Sequence, residues 1–347
     1  MPTHTEVPWS AGTATGIGSL PYDDPVEAMR IVLGELPDLP HLPELPGRGP
    51  GADVIGRACG LLVDLAVDLQ PAGWRLTSGE GQDQRRSRSM LAHDLDAVEE
   101  LAGAYAGPFK LQVAGPWTLA ACLERPRGGR VLGDRGARRD VAQSLAEGLA
   151  AHVTGLRRRV PGAVPVVQLD EPSITGVLRG SIPTASGFSR YRSVEEPEVV
   201  ELLAEVIGRV AGDGAVPVVH CCASGVPFTA MVRAGARGLS FDLAHIDDTA
   251  DDALAEAVER GVVLFVGAVP SRRPPLGPRG NRRAAPTDAE IAKAVAALWH
   301  RLGFDPDDVA AGCVITPSCG LAGADPDWVR TALKLSRTAG AALTDLT

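Results

Sequence analysis

The stretch "VPVVHCC" (residues 216–222) joins a short run of β-branched apolar residues to a histidine and two cysteines. Segments of this kind, each followed by turn residues and a helix-like stretch, recur along the chain. There are eight of them: 13–19, 74–79, 109–115, 164–170, 216–221, 237–243, 262–268 and 313–319. Amphipathic stretches with apolar residues three and four apart lie between them, at 92–106, 137–159, 195–212, 248–260 and 287–302.

This alternation predicts an α/β fold, a single (β/α)8 TIM barrel over residues 1–347. An open doubly wound sheet is the alternative. "TGIGSLP" (15–21) speaks against that alternative, because it lacks the third glycine of a dinucleotide fingerprint and does not open a clean helix.

Composition narrows the class of protein. Hydrophobic residues make up 45% of the chain, enough for a substantial core, and the net charge of -9 argues against nucleic acid or a membrane surface as a partner. The N-terminus lacks the pattern of a signal peptide, and no apolar run approaches the roughly 20 residues of a membrane span. We therefore expect a cytoplasmic location, where the six cysteines are free thiols or metal ligands.

Two proline-rich regions interrupt the pattern. Residues 37–51, "PDLPHLPELPGRGPG", predict an extended connection over the surface or across the barrel mouth. Residues 270–286, "PSRRPPLGPRGNRRAAP", predict a long loop after the seventh strand. Barrels often bind phosphates or close a lid there, and a solvated loop is an equally good interpretation.

A candidate metal site emerges where strands end. Side chains alternate along a strand, so His220 and Cys222 face one side while Cys221 faces the other. Cys319, after the last segment, reaches the same point if the barrel closes, and Asp242 is placed to add an oxygen ligand or a hydrogen bond. Nitrogen and thiolate ligands predict Zn²⁺, although any one of these cysteines alone would be ordinary buried packing.

Other strand-end residues are candidates for substrate contacts. Asp170 is expected to enter the mouth and hold an ammonium group, unless it and Glu171 only begin a helix at Pro172. Glu80 is either a catalytic acid or a solvated loop residue. Gly18 and Ser19 either bind a carboxylate or form a bare turn. Trp117 either stacks on a substrate or caps the barrel.

Taken together and in this order, "IGSLP", "VQLDEP", "HCC" and "TPSCGL" resemble the catalytic barrel of the cobalamin-independent methionine synthases, a fold also related to uroporphyrinogen decarboxylases. The resemblance runs from about residue 13 to 330 and is to a short, core-type form. It implies that His220, Cys222 and Cys319 bind zinc, that Ser19 contacts the homocysteine carboxylate, and that Asp170 contacts its amino group.

This sequence departs from the family at two places. The family's acidic zinc ligand is Glu, whereas the nearest counterpart here is Asp242. The family's loop with a catalytic histidine after the seventh strand corresponds to "VGAVPSRRPPLG", which has no histidine. The methyl donor is therefore left open between methyltetrahydrofolate and a corrinoid carrier.

The resemblance implies a zinc-dependent S-methyltransferase that forms methionine from homocysteine. Asp170, and Glu80 from its place on the loop after the second segment, are the candidate catalytic groups. Three alternatives remain at this point: a corrinoid-to-thiol methyltransferase acting on another thiol, a decarboxylase-like enzyme without metal, and a non-catalytic zinc-containing binding protein. The sequence leaves the exact thiol and the oligomeric state undetermined.

Overall fold

Residues 7–275 and 285–346 are described by the structure, a computed structural model. The strands are β1 (Ala66–Gln70), β2 (Gly73–Thr77), β3 (Gly107–Ala114), β4 (Ala163–Asp170), β5 (Val216–His220), β6 (Gly238–Asp242), β7 (Val263–Val269) and β8 (Cys313–Pro317). The helices are α1 (Pro25–Glu35), α2 (Val54–Leu61), α3 (Gln82–Ala102), α4 (Pro116–Cys122), α5 (Arg135–Arg159), α6 (Ile174–Arg179), α7 (Glu196–Gly212), α8 (Phe228–Arg233), α9 (Asp251–Glu259), α10 (Asp288–Arg301), α11 (Val309–Gly312) and α12 (Pro326–Thr344).

Strands β3 to β8 form a curled six-stranded sheet in which each strand pairs in parallel with the next along the chain. Helices cover its outer face and bury their apolar sides against it, as their sequence periodicity predicted. The predicted α/β class and six of the predicted strands are confirmed. A full barrel of eight regular strands is not present among the described residues.

The predicted second barrel strand is wrong. Residues 74–79 overlap β2, which pairs antiparallel with β1 in a separate two-stranded hairpin. Pro71 and Ala72 make the tight turn between them, and Gly73 follows at φ +126°, where a side chain would be strained. Both strands are only partly buried, so the hairpin stands outside the parallel sheet.

Two extended segments instead line the edges of the sheet through isolated bridges. Ala14 bridges to Ile315 of β8, and His41 bridges to Lys110 of β3. The two segments meet each other where Ser19 bridges to Glu44. Prolines at 40, 43 and 46 lack an amide hydrogen, so the second segment forms single hydrogen bonds rather than a continuous ladder.

The predicted surface connection at 37–51 is thereby corrected. Residues 39–45 are buried, with Leu39, Leu42 and Leu45 fully shielded from solvent. Of the other predicted loop, 270–286, residues 276–284 lie outside the described residues. Arg273 in the described part forms an ion pair with Asp325 at 2.8 Å.

Side chains that point inward divide the sheet into an apolar floor and a polar upper part. The floor lies toward the beginnings of the strands and consists of Trp9, Leu39, Val166, Val218, Val263, Phe265 and Val314. Two residues further along β4, β5 and β8, the inward positions are the polar residues Gln168, His220 and Thr316. Polar and ionisable side chains therefore lie toward the carboxyl ends of the strands, as expected for folds of this kind.

Helix α10 begins with a capping box. Thr287 accepts a hydrogen bond from the backbone amide of Glu290, and the Glu290 side chain accepts from the backbone amide of Thr287. None of the described helices has both the length and the hydropathy of a membrane span.

Candidate metal centre

His220, Cys222 and Cys319 converge at the carboxyl ends of the strands. His220 is the last residue of β5, Cys222 lies two residues beyond it, and Cys319 follows β8 by two residues. Their ligand atoms all lie within 4.8 Å of one another, and the two Sγ atoms are 3.4 Å apart. Residues almost a hundred positions apart in the chain are thus brought to one point by the curvature of the sheet.

The neighbouring Cys221 faces the opposite way. Its side chain is fully buried in the apolar layer between sheet and helices, and burial raises the pKa of its thiol to about 11. Strand alternation therefore separates the two adjacent cysteines into one that faces the candidate site and one that packs in the core.

Ser240 fixes the orientation of the histidine ring. Its Oγ lies 2.9 Å from His220 Nδ1, and both side chains are buried. Nε2 is then the ring nitrogen left to face the two sulfurs. Metal-binding histidines commonly use their second nitrogen in a hydrogen bond of this kind.

The two thiols differ in their affinity for a proton. The contact with Cys222, followed by the one with His220, lowers the pKa of Cys319. The same sulfur pair raises the pKa of Cys222, with burial adding to the effect. The 3.4 Å contact is that of a hydrogen bond between the two sulfurs, in which either one can be the donor.

This donor set fits zinc. One imidazole and two sulfurs are typical zinc ligands, and tetrahedral coordination with Zn–S bonds of about 2.3 Å places two sulfurs roughly 3.8 Å apart. The observed 3.4 Å requires only a small adjustment of the side chains. Three protein ligands leave the fourth position open, which is the arrangement of catalytic rather than structural zinc sites.

Asp242 is not a member of this group. Its carboxylate accepts a hydrogen bond of 2.9 Å from the amide of Ala244 and lies 3.7 Å from Nδ1 of His245. Within residues 7–275 and 285–346, no further His, Cys, Asp or Glu joins the three converging ligands. Asp242 caps the turn after β6, and its role as a zinc ligand stays a prediction.

The adjacent acids Asp170 and Glu171 point in opposite directions. Asp170 faces inward beside His220 and accepts a hydrogen bond of 2.7 Å from Gln168. Burial raises its pKa, an effect that the charge of His220 opposes. Glu171 points outward to the first turn of α4 and accepts from the amides of Trp117 and Thr118 at 2.9 and 2.7 Å. Glu171 thus caps the start of α4, whereas a substrate contact for Asp170 stays a prediction.

Ser19 lies next to the Cys319 loop. Its carbonyl accepts a hydrogen bond of 2.8 Å from Leu321, and its hydroxyl occupies the space that a side chain at Gly320 would need. Gly18 has φ +157°, and the side chain of Gln112 packs 2.7 Å from the position of a Cβ there. Glycines at 18 and 320 are thus required for the close approach of these two segments.

Two further candidates lie elsewhere. Trp117 is fully buried, and its indole N–H donates to the carbonyl of Val199 at 3.0 Å, so it packs between helices and offers no surface to a ligand. Glu80 follows the β1–β2 hairpin and pairs with Arg88, outside the parallel sheet. A catalytic role for Glu80 stays a prediction.

Sequence reasoning missed several polar side chains inside the sheet: Glu44, Lys110, Gln112 and Gln168. A signal was present in the sequence. Lys110 and Gln112 alternate in "FKLQVAG", and Gln168 precedes Asp170 by two in "VVQLD", so all share the inward face of a strand. Burial raises the pKa of Glu44 to about 7 and lowers that of Lys110 to about 8.

No known family profile matches this chain, and no curated protein matches it. Among solved structures, a B12-independent methionine synthase from Shewanella sp. W3-18-1, in complex with selenomethionine, superposes with a TM-score of 0.62. The match covers 97% of this chain and 98% of that chain at 13% identity. An N-isopropylammelide isopropylaminohydrolase from Burkholderia multivorans ATCC 17616 reaches a TM-score of only 0.34 at 16% identity, over 76% of this chain and 67% of that chain. The likeness to the methionine synthase shows a shared fold.

Proposed function

We propose that this protein is a zinc-dependent methyltransferase that transfers a methyl group to the thiol of homocysteine and so forms methionine. The observation that carries the proposal is the convergence of His220, Cys222 and Cys319 at the carboxyl ends of the strands. The fold shared with a B12-independent methionine synthase supports it. Selenomethionine, bound in that structure, is methionine with selenium in place of sulfur, and thus has the shape of the proposed product.

The three residues would hold zinc and leave one position for the substrate sulfur. A free thiol has a pKa of ~8.5 and is mostly protonated near neutral pH. Bound zinc would stabilise the thiolate, which is the nucleophilic form. Ser240 would keep the His220 ring in place during each turnover through the 2.9 Å contact with Nδ1.

The amino-acid end of the substrate would be held by Asp170 and Ser19. Asp170 lies beside His220 across the β4–β5 pair, and Ser19 lies against the loop that carries Cys319. An ammonium group on Asp170 and a carboxylate near Ser19 would fix the direction of the side-chain sulfur. Such orientation lowers the entropic part of the barrier to methyl transfer.

The proposal includes a single catalytic domain over residues 1–347, with the segments at 13–20 and 40–44 in place of two regular barrel strands. Hydrogen bonds between Thr15 and Ile315 and between Leu42 and Lys110, at 3.0 and 2.9 Å, support this arrangement. The methyl donor is methyltetrahydrofolate or a corrinoid carrier, and the two are distinguished by assaying methionine formation with each.

Zinc analysis and X-ray absorption at the zinc edge test the proposal. We expect one zinc per chain bound by two sulfurs, and a third sulfur when homocysteine is added. Cys222→Ala and Cys319→Ala should each weaken zinc binding by more than the roughly 10- to 100-fold that loss of an outer partner costs. Cys221→Ala is the matched control and should keep its zinc. Full zinc content in the first two variants, or no added sulfur with homocysteine, overturns the proposal.

A further inference from the structure

Lys110 is a fully buried lysine inside the sheet, and one of only three lysines in the chain. Its ammonium group donates to the carbonyl of Ile17 at 2.8 Å and to Gln168 Oε1 at 2.9 Å. Burying a charge is costly, and an apolar side chain of the same size is often as stable or more stable at such a position. The fold alone therefore gives little reason for a lysine here.

The hydrogen bond from Lys110 sets the orientation of the Gln168 amide. An ammonium group can only donate, so Gln168 must turn its oxygen toward Lys110 and its NH₂ group away from it. That NH₂ group donates to Asp170 Oδ1 at 2.7 Å. The lysine thus determines, through one intermediate side chain, which way the Asp170 carboxylate is held.

The same two side chains also hold the segment before Ser19. Both Lys110 and Gln168 donate to the carbonyl of Ile17, at 2.8 and 3.0 Å. Gly18 and Ser19 follow directly in the chain, so the position of the Ile17 carbonyl bears on that of Ser19. One buried cation therefore links the two groups that face opposite ends of an amino acid in the proposed site.

The charges around Lys110 are consistent with a cation at this position. Burial lowers the pKa of Lys110 to about 8, while Asp170 and Glu44 act in the opposite direction. The lysine accordingly stays mostly protonated near neutral pH and offsets part of the negative charge gathered below the metal centre.

We propose that Lys110 is a positioning residue for the amino-acid end of the substrate, acting through Gln168 on Asp170 and through Ile17 on Ser19. The inference rests on the proposed function, since it assigns Asp170 and Ser19 to the substrate's ammonium and carboxylate groups. Its consequence is selectivity. Lys110 makes the site prefer a thiol that carries an amino-acid end over a thiol that carries none.

Calorimetric titration of the zinc-loaded protein with two probes tests this role. Homocysteine reports on the sulfur and the amino-acid end together, whereas propanethiol reports on the sulfur alone. Lys110→Met and Gln168→Met should each weaken homocysteine binding by about 10- to 100-fold, the range expected when a hydrogen bond to a charged group is lost. Propanethiol binding and zinc content should stay within about twofold.

Thr316→Val is the matched control. Thr316 is fully buried in the same sheet, and its hydroxyl has no hydrogen-bond partner in the described part of the chain, so its loss should leave both affinities unchanged. Circular dichroism shows whether Lys110→Met and Gln168→Met are folded. One folded variant of the two is enough for the test. Homocysteine binding equal to wild type in a folded variant overturns the role of Lys110, as does an equal loss of propanethiol binding. A wild-type protein that binds the two probes equally well overturns the proposed function as well.

Discussion

Acidification should destabilise this protein through His41, a buried residue of the segment that bridges to β3. His41 Nδ1 lies 3.4 Å from the carbonyl of Leu42, and Nε2 has no hydrogen-bond partner among the described residues. Gly16 packs so closely against Nε2 that a Cβ there would overlap the ring. A second proton on this ring would therefore create a buried charge with no acceptor at Nε2.

Burial, aided by the charge of Lys110, lowers the pKa of His41 from 6.5 to about 3. A lowered histidine pKa means that the folded state prefers the neutral ring. The resulting stability is present above pH 6.5 and is lost as the pH falls toward 3. At roughly 1.4 kcal/mol per pKa unit, the full effect is about 5 kcal/mol, of which about 3 kcal/mol is lost between pH 7 and pH 4.

Urea unfolding of wild type and His41→Gln, followed by circular dichroism at several pH values, measures this effect. The glutamine variant should be the less stable protein at pH 7 and should lose about 3 kcal/mol less of its unfolding free energy on going to pH 4. His300→Gln, on the exposed side of α10, controls for the substitution itself. Parallel pH curves for wild type and His41→Gln would refute the reasoning.

Two further predictions concern packing. Gly16→Ala should lower the unfolding free energy by about 1–3 kcal/mol, because its Cβ overlaps the buried His41 ring; Gly34→Ala, in helix α1 with open space around it, should instead raise it by roughly 0.5–1 kcal/mol. Equal effects in urea unfolding would contradict the close approach at Gly16. Trp117→Phe should cost about 1 kcal/mol through the lost bond to Val199, with homocysteine affinity within about twofold; a large loss of affinity would restore a substrate role for Trp117.

Burial on both faces explains why six strands were predictable. A strand covered by helices outside and by the sheet's own interior inside reads as a continuous apolar run, and "VPVVQLD" and "VPVVHC" are runs of this kind. The segment at 39–45 was missed because prolines at every third position are typical of a loop. It is nonetheless buried, and it pairs with Lys110 through an isolated bridge instead of a continuous ladder of hydrogen bonds. "WRLTSG" has the composition of a strand, and composition does not tell which partner a strand pairs with.

Some features of the candidate site were also predictable from the sequence, and others depend on the tertiary structure. Strand alternation alone separated Cys222 from Cys221, because that rule depends only on neighbours in the chain. The meeting of Cys222 with Cys319 and the placement of Ser19 against Gly320 depend on how the sheet curves. The position of Asp242 outside the three-residue group likewise follows from the turn after β6, which its carboxylate caps.

By itself, the sequence determined the alternation of strands and helices, the inward and outward faces of each strand, and the residue types that bind a metal. The tertiary structure alone decided which strand ends meet, and that Lys110 lies beneath Asp170 and Ile17 in the interior. The physical reason is the distance along the chain over which each effect acts. Periodicity and hydrogen-bond chemistry act between near neighbours, whereas convergence depends on packing summed over the whole sheet.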